Sequence, residues 1–436
     1  MNNQESQTKS RLDAVSPTYC VAKWKQVTML LQTGTTHSCH HPPPHRIPLD
    51  ELQANVSALH NTAHKKLQRK MMLDGQRPPE CNFCWQVEDR GTEASDRIIK
   101  SGNDWAIEHL ERLSVRPWSE DVSPSYLEVS FSNVCNMACA YCSPTNSTTY
   151  TKDIEDNGPY PVSEHSMSSL SRIYSPDTNP YLKAFWEWFP TIYADVNVCR
   201  ITGGEPLIQE DTYRLLEHIL ANPNPDLTVA INTNLNVTSL ELDRLIEILK
   251  KLKGRVRQTQ IFASIDSFGP QAAYIRSGLD VPRFMANLWK LTELRNLALF
   301  VTSSFNVTSI PSFSALMSEV ARMKKKSNTV MDISFLAYPN FMSVRVLDQA
   351  YASEKITALI KQAEKMVFFS WEAKKLRWLH DWVMVPVDED KLTRMRVDFY
   401  RFFTEWDRRR GTNFVTIFPE LEPFWTVCQT LEQSSQ

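Results

Sequence analysis

Glycine is scarce in this chain: there are eleven in 436 residues, and Gly203-Gly204 is the only place where two stand together. Long hydrophobic runs are missing as well. No apolar stretch approaches the roughly 20 residues a membrane helix needs, which excludes a helical membrane span. An excess of charge of either sign is also absent. The formal net charge is −2 with 22% charged residues, so composition offers no case for a general nucleic-acid-binding or membrane-attracted surface. Residues 1–10 are polar and lack the apolar core of a secretory signal, and a reducing, cytoplasmic location is the expectation. An even, regularly spaced cysteine set is the last thing lacking. The count is nine, and an odd number without a secretory signal argues against a disulfide framework.

Five of those nine lie in two tight groups, Cys81/Cys84 and Cys135/Cys139/Cys142, a distribution that metal or cluster ligation explains better than pairing. Residues 1–16 read as a disordered tail. The segment 17–123 reads as a loop-rich Cys/His extension with little strand periodicity, including the run Cys39-His40-His41-Pro42-Pro43-Pro44, whose prolines forbid a helix. From residue 124 the pattern changes. Strands are expected at 126–131, 196–202, 227–232, 258–266, 297–305 and 330–337, with helical periodicity at 212–220, 239–252, 281–294 and 312–325. Such alternation implies parallel pairing with helices over the sheet. The fold class expected is α/β: a partial (β/α)6 TIM-like barrel over 124–340, with sites at the C-terminal ends of its strands. Residues 143–190 form a long insertion, read as a lid or substrate-contacting segment. Residues 341–436 read as a helical C-terminal region.

Two motifs carry chemistry. Cys135, Cys139 and Cys142 sit at C-x3-C-x2-C spacing just after the first barrel strand. Three thiolates on one loop hold three irons of a 4Fe–4S cluster and leave the fourth open. Zinc is the rival; it would need a fourth protein ligand and favours paired C-x-x-C spacing. Thr202-Gly203-Gly204-Glu205-Pro206 ends the next strand. Bare backbone there admits a close approach and exposes amides, and Glu205 offers an acceptor to a cationic group.

Cys135-x-x-x-Cys139-x-x-Cys142 with Tyr141 before the last cysteine, followed in order by Gly203-Gly204-Glu205-Pro206, resembles the radical S-adenosylmethionine superfamily over roughly residues 124–340. The resemblance implies that the triad holds a 4Fe–4S cluster whose open iron is chelated by the amino and carboxylate groups of S-adenosylmethionine. It implies that Gly203, Gly204 and Glu205 line the amino group and that Tyr141 packs near the adenine. One electron would then cleave the sulfonium bond to a 5′-deoxyadenosyl radical, which abstracts hydrogen from a substrate. The partners implied are a small-molecule or peptide substrate and an external one-electron reductant of flavodoxin or ferredoxin type. Further polar residues at strand ends fit the same pocket: Asn232, Ser264 and Asp266 toward the ribose or carboxylate, and Arg276 as a bidentate partner of the carboxylate. No residue is assigned as catalytic.

Cys20, Cys39, Cys81 and Cys84 equal the ligand count of a second, closed site. Some superfamily members carry an auxiliary cluster in a twitch or SPASM module, there usually after the barrel and here before it. A second Fe–S cluster, a zinc ion bound with a histidine, and no metal all remain open for these residues. The alternative for the whole chain is a zinc-stabilised, non-catalytic binding protein on a related barrel. Fold does not choose the substrate.

Overall fold

The computed structural model describes residues 2–91, 93–164, 167 and 172–435. Its strands are β1 Gln26–Leu30, β2 Thr35–His37, β3 His45–Arg46, β4 Tyr126–Ser130, β5 Ala138–Cys139, β6 Val198–Thr202, β7 Asn224–Thr233, β8 Val256–Ser264, β9 Arg276–Ser277, β10 Leu297–Phe305 and β11 Thr329–Phe335. Nine of them form one sheet in the order β11-β10-β8-β7-β6-β4-β1-β2-β3. From β11 to β1 the neighbours run parallel; β2 and β3 extend one edge antiparallel. The sheet stays open between its two edges, a partial barrel.

Side-chain alternation gives the strands two unlike faces. Leu127, Val129, Cys199, Ile201, Ile231 and Ile261 are all fully buried and face the covering helices. Glu128, Arg200, Asn232, Ser264, Thr302 and Asp332 share the opposite face by register and are half-buried. That polar face lines the inside of the barrel. All six expected strands form, and the helices fall where the periodicity puts them: Glu210–Ala221, Ser239–Leu252, Val281–Leu291 and Phe313–Lys324. The helix Ser239–Leu252 shows why its start is sharp. The Thr238 amide donates to Glu241 at 2.6 Å and the Glu241 amide donates back to the Thr238 hydroxyl at 3.4 Å, a reciprocal cap.

Three expectations need correction. Residues 3–15, read as part of a disordered tail, form a helix capped by Asn2 and Glu5. Leu12 anchors it, fully buried in a separate core with Tyr19, Trp24, Met72 and Trp85. The extension 17–123 is not outside the barrel: β1 pairs with β4 in register from Gln26↔Tyr126 to Leu30↔Ser130. Its sequence Gln26-Val27-Thr28-Met29-Leu30 is too short for alternation to stand out among prolines and histidines, yet Val27 and Met29 are wholly buried. The insertion 143–190 is also more structured than a lid. Its helix Pro180–Ile192 buries Phe185 and Phe189 in the main core. Its helix Thr148–Asn157 is tied to the C-terminal region by Arg409, which donates to Asp153 at 3.1 Å and to the Gly158 carbonyl at 2.8 Å. Residues 165, 166 and 168–171 of this segment lie outside the described residues.

The C-terminal region is helical, with Gln349–Lys365, Ser370–Val383, Glu389–Arg410 and Glu422–Ser434 as its main helices. It covers the β11 edge. The buried Glu372 carboxylate accepts the Met331 amide at 2.7 Å and pairs with Lys324 at 2.8 Å, satisfying an edge-strand donor that would otherwise be unpaired.

Candidate active site

The cysteine loop leaves β4 and is fixed at three points. Cys139 lies in β5, directly opposite Arg276 of β9, and the Ala140 amide donates to the Ile275 carbonyl at 2.8 Å. Behind Cys135, the Thr149 hydroxyl donates to its carbonyl at 2.6 Å and the Ser147 hydroxyl to the Met137 carbonyl at 2.6 Å. Met137 and Ala138 are core residues. The three thiols themselves remain half-buried and free. Burial raises all three, Cys142 to about 12, while the Arg276 guanidinium opposes the rise at Cys139.

The third attachment explains the glycine pair. The Gly204 amide donates to the Ser132 carbonyl at 3.2 Å and the Glu205 amide to the Val134 carbonyl at 2.8 Å. A Cβ on Gly204 would stand 2.2 Å from the Val134 oxygen, and one on Gly203, at φ +114°, would stand 2.8 Å from the Ser132 oxygen. The close approach expected at this turn is therefore made by the chain's own cysteine loop. The Gly204 and Glu205 amides, read from sequence as exposed to a ligand, are consumed by it. Among the described residues the Gly203 and Gly204 carbonyls accept no hydrogen bond, so the turn retains acceptors, the groups an ammonium requires.

Glu205 is fully buried. Its carboxylate accepts from the Leu207 amide at 3.0 Å, the Thr233 hydroxyl at 2.6 Å and the Asn234 amide at 2.6 Å. Burial raises the carboxyl to about 7 against the pull of those three donors. Glu205 thus ties the end of β6 to the end of β7 instead of presenting a free acceptor. The tie positions Asn234, whose side chain donates to Asn136 at 2.8 Å and lies 3.8 Å from the Cys135 sulfur. Next to it, Leu235 holds φ +52°, a left-handed conformation that costs a branched L-residue roughly 1 kcal/mol. Asn232 and Asn234 belong to the same strand-end tripeptide, and of the two it is Asn234 that lies beside the cysteine loop. Asn232 points to the barrel interior and accepts from Arg200 at 2.8 Å.

Asp266 and Arg276 were expected to reach a ligand's ribose or carboxylate. They meet each other. Arg276 Nε and Nη2 donate to Asp266 at 2.8 and 3.2 Å, with relative exposures of 6% and 0%. The Tyr141 hydroxyl donates to the same carboxylate at 2.5 Å and the Ser304 amide at 2.8 Å. Arg276 Nη1 then stands 3.9 Å from the Cys139 sulfur. The pair is a buried strut under the cysteine loop, and it orients Tyr141. Ser264 sits at the barrel mouth on the interior face, 3.3 Å from the Thr302 hydroxyl.

Residues 129–302, which contain the cysteine loop, the glycine turn and both struts, match the Radical SAM superfamily. The match covers the parallel strands β6 to β8, the end of β4 and most of β10, together with the cysteine loop. It is 24% identical over 243 residues to the GTP 3′,8-cyclase of Sulfurimonas denitrificans (strain ATCC 33889 / DSM 1251), covering 55% of this chain and 61% of that protein. It is 26% identical over 254 residues to the GTP 3′,8-cyclase of Nautilia profundicola (strain ATCC BAA-1463 / DSM 18972 / AmH), covering 57% and 70%. The chain therefore spans about three-fifths of the first of these relatives. Among solved structures, Streptococcus suis SuiB bound to S-adenosylmethionine aligns with a TM-score of 0.37 at 16% identity, over 74% of this chain and 66% of that one.

The matched segment is preceded by a second cysteine constellation. Cys20, Cys39 and the pair Cys81/Cys84 come from three separate stretches of the sequence and line one cavity. Cys81 and Cys84 open the helix Asn82–Arg90, Cys20 precedes β1, and Cys39 follows β2. His41 reaches the same cavity, but its Nε2 is 2.7 Å from Asp96 and its ring stacks on Phe83 at 3.7 Å. Among the described residues, His40, His41 and Asp96 are the group whose ligand atoms all lie within 4.8 Å of one another. The Lys100 ammonium stands 3.2 Å from Asp96 and 2.9 Å from His40, so a cation already neutralises that group. Neither cysteine set closes so tightly. A single zinc with Zn–S bonds of about 2.3 Å would hold its sulfurs only ~3.8 Å apart.

Proposed function

We propose that this chain is a radical SAM enzyme in which Cys135, Cys139 and Cys142 hold a 4Fe–4S cluster and S-adenosylmethionine occupies the open iron. The observation that carries the reading is the coupling of the three-cysteine loop to the Gly203-Gly204-Glu205 turn through two amide-to-carbonyl bonds, which leaves the turn's carbonyls free beside a loop of three unpaired thiols. Such a cluster supplies one electron to the sulfonium, which separates into methionine and a 5′-deoxyadenosyl radical. The protein's part is positioning and shielding. Arg276 and Asn234 bring donors to within 3.9 and 3.8 Å of the Cys139 and Cys135 sulfurs, favouring the thiolate form that ligation demands. The Gly203 and Gly204 carbonyls receive the methionine amino group. Tyr141, its ring set by the bond to Asp266, flanks the adenine. The polar face with Asn232, Ser264 and Thr302 meets the substrate, a peptide or small molecule. Electrons come from an external flavodoxin- or ferredoxin-type donor.

Cys20, Cys39, Cys81 and Cys84 hold a second iron–sulfur centre in this reading. Four thiols around one cavity, spaced too widely for a single tetrahedral ion, support a larger group. Anaerobic reconstitution with iron and sulfide, then an assay for 5′-deoxyadenosine under reduction, tests the first centre. The combined Cys135→Ala, Cys139→Ala, Cys142→Ala variant must abolish that product; persistence of the product rejects the assignment. Iron remaining on the same variant, about four per chain for one cubane, measures the second centre. Zinc alone in both proteins would favour the non-catalytic alternative.

A further inference from the structure

The second cavity is lined by more than cysteines. Lys23, Arg97 and Lys100 face it, with Asp96 as the one carboxylate in the lining. Lys23 and Arg97 are each only 2% exposed. A buried cation is tolerated only when countercharge and hydrogen bonds replace its water, and both residues have a carboxylate. The position of that carboxylate is the informative part. Lys23 pairs with Glu80, which is held from its other side by His64 at 2.7 Å. Arg97 is clamped by Glu88 through Nε at 2.8 Å and Nη2 at 2.9 Å, its Nη2 also meets Asp13 at 3.2 Å, and its Nη1 donates to the Tyr19 carbonyl at 2.9 Å; Asp13, too, is outside the cavity lining. Neither Glu80 nor Glu88 lines the cavity. Each cation therefore belongs to the cavity lining, while the carboxylates that pair with it do not.

An apolar or neutral occupant gives no reason to bury two ammonium- or guanidinium-bearing side chains in this lining. Four thiolates around an iron–sulfur core carry net negative charge, and that charge grows by one on reduction. Cations beside it stabilise the reduced form more than the oxidised one, and the low local dielectric enlarges the difference.

We infer that Lys23 and Arg97 set the reduction potential of the second centre, holding it in reach of a one-electron donor. The inference rests on the reading that Cys20, Cys39, Cys81 and Cys84 ligate an iron–sulfur cluster. Lys23 and Arg97 are positioning residues: they act on the centre through charge and touch no substrate.

The test uses the full chain carrying Cys135→Ala, Cys139→Ala and Cys142→Ala, reconstituted anaerobically, so that only the second centre signals. Its one-electron midpoint is measured by an EPR-monitored titration with dithionite. Lys23→Gln should make reduction about tenfold less favourable, a fall of about 59 mV for a one-electron couple. Lys23→Arg should restore the midpoint. The double variant Lys23→Gln/Glu80→Gln, which removes charge of both signs and leaves no unpaired Glu80, should still lie below the parent, because the lysine is the nearer charge. Arg97→Gln should shift the same way. An unchanged midpoint in the Lys23 variants and in Arg97→Gln, with iron per chain intact, overturns the inference while leaving the second cluster standing. A parent protein that takes up no iron at this site overturns the reading beneath it.

Discussion

Gly204→Ala is the smallest change that should disable the radical SAM site. The added methyl would be placed 2.2 Å from the Val134 oxygen, 2.6 Å from its carbonyl carbon and 2.7 Å from the Asn133 carbonyl carbon. All three are backbone atoms, so no side-chain rotation relieves the contact. Ordinary van der Waals separation requires the Cys135 loop to retreat by roughly 1 Å, with a steric cost of about 1–3 kcal/mol. That retreat also stretches the Gly204–Ser132 and Glu205–Val134 hydrogen bonds, each worth about 1 kcal/mol. The total of about 3–5 kcal/mol falls on the loop proposed to carry the cluster. A displacement of 1 Å at a reacting centre costs on the order of 100-fold in rate. The assay compares iron per chain and 5′-deoxyadenosine formation in Gly204→Ala with those in Gly254→Ala. Gly254 has φ +74° and open space around its Cβ position, so the control incurs backbone strain without touching the site. Wild-type iron and product formation in Gly204→Ala would refute the reasoning.

Asp266→Asn leaves Arg276 buried without a countercharge and should destabilise the protein by about 3–5 kcal/mol, with loss of cluster loading because Arg276 faces Cys139 in β9; denaturant unfolding and iron content read both effects. Tyr141→Phe removes only the 2.5 Å bond to Asp266, so it should cost about 1–3 kcal/mol and raise the KM for S-adenosylmethionine while iron content stays unchanged. Glu205→Gln should flatten a pH dependence of stability in the metal-free chain. A carboxyl raised from 4.5 to about 7 stabilises the fold while protonated and loses that contribution as pH climbs from about 4.5 through 7. Relative to the glutamine variant, the parent should lose up to about 3 kcal/mol over that window; parallel unfolding curves at pH 5 and pH 8 would contradict this. Glu372→Gln unpairs Lys324 beneath the β11 edge and should lower stability by about 3 kcal/mol with 5′-deoxyadenosine formation intact.

The sequence by itself determined the local elements and the ligand inventory. Period-two and period-3.6 patterns located six parallel strands and their helices, because each strand or helix must bury one face whatever it packs against. Cysteine spacing marked out the loop proposed to hold a cluster, since three thiols on eight consecutive residues need no tertiary help to share one loop. Tertiary structure decided what the polar residues do. Asp266 and Arg276 look like ligand contacts from sequence, yet both are buried and pair with each other. Gly203-Gly204 reads as room for a ligand, and the room is filled by the backbone of the cysteine loop, an approach that sequence distance conceals. β1 was illegible because five residues carry too few alternations to outweigh their surroundings; its identity comes from pairing with β4. The convergence of Cys20, Cys39, Cys81 and Cys84 on one cavity, with Lys23 and Arg97 in its lining, is likewise decided only by the fold, because the chain order of those residues does not encode their distances.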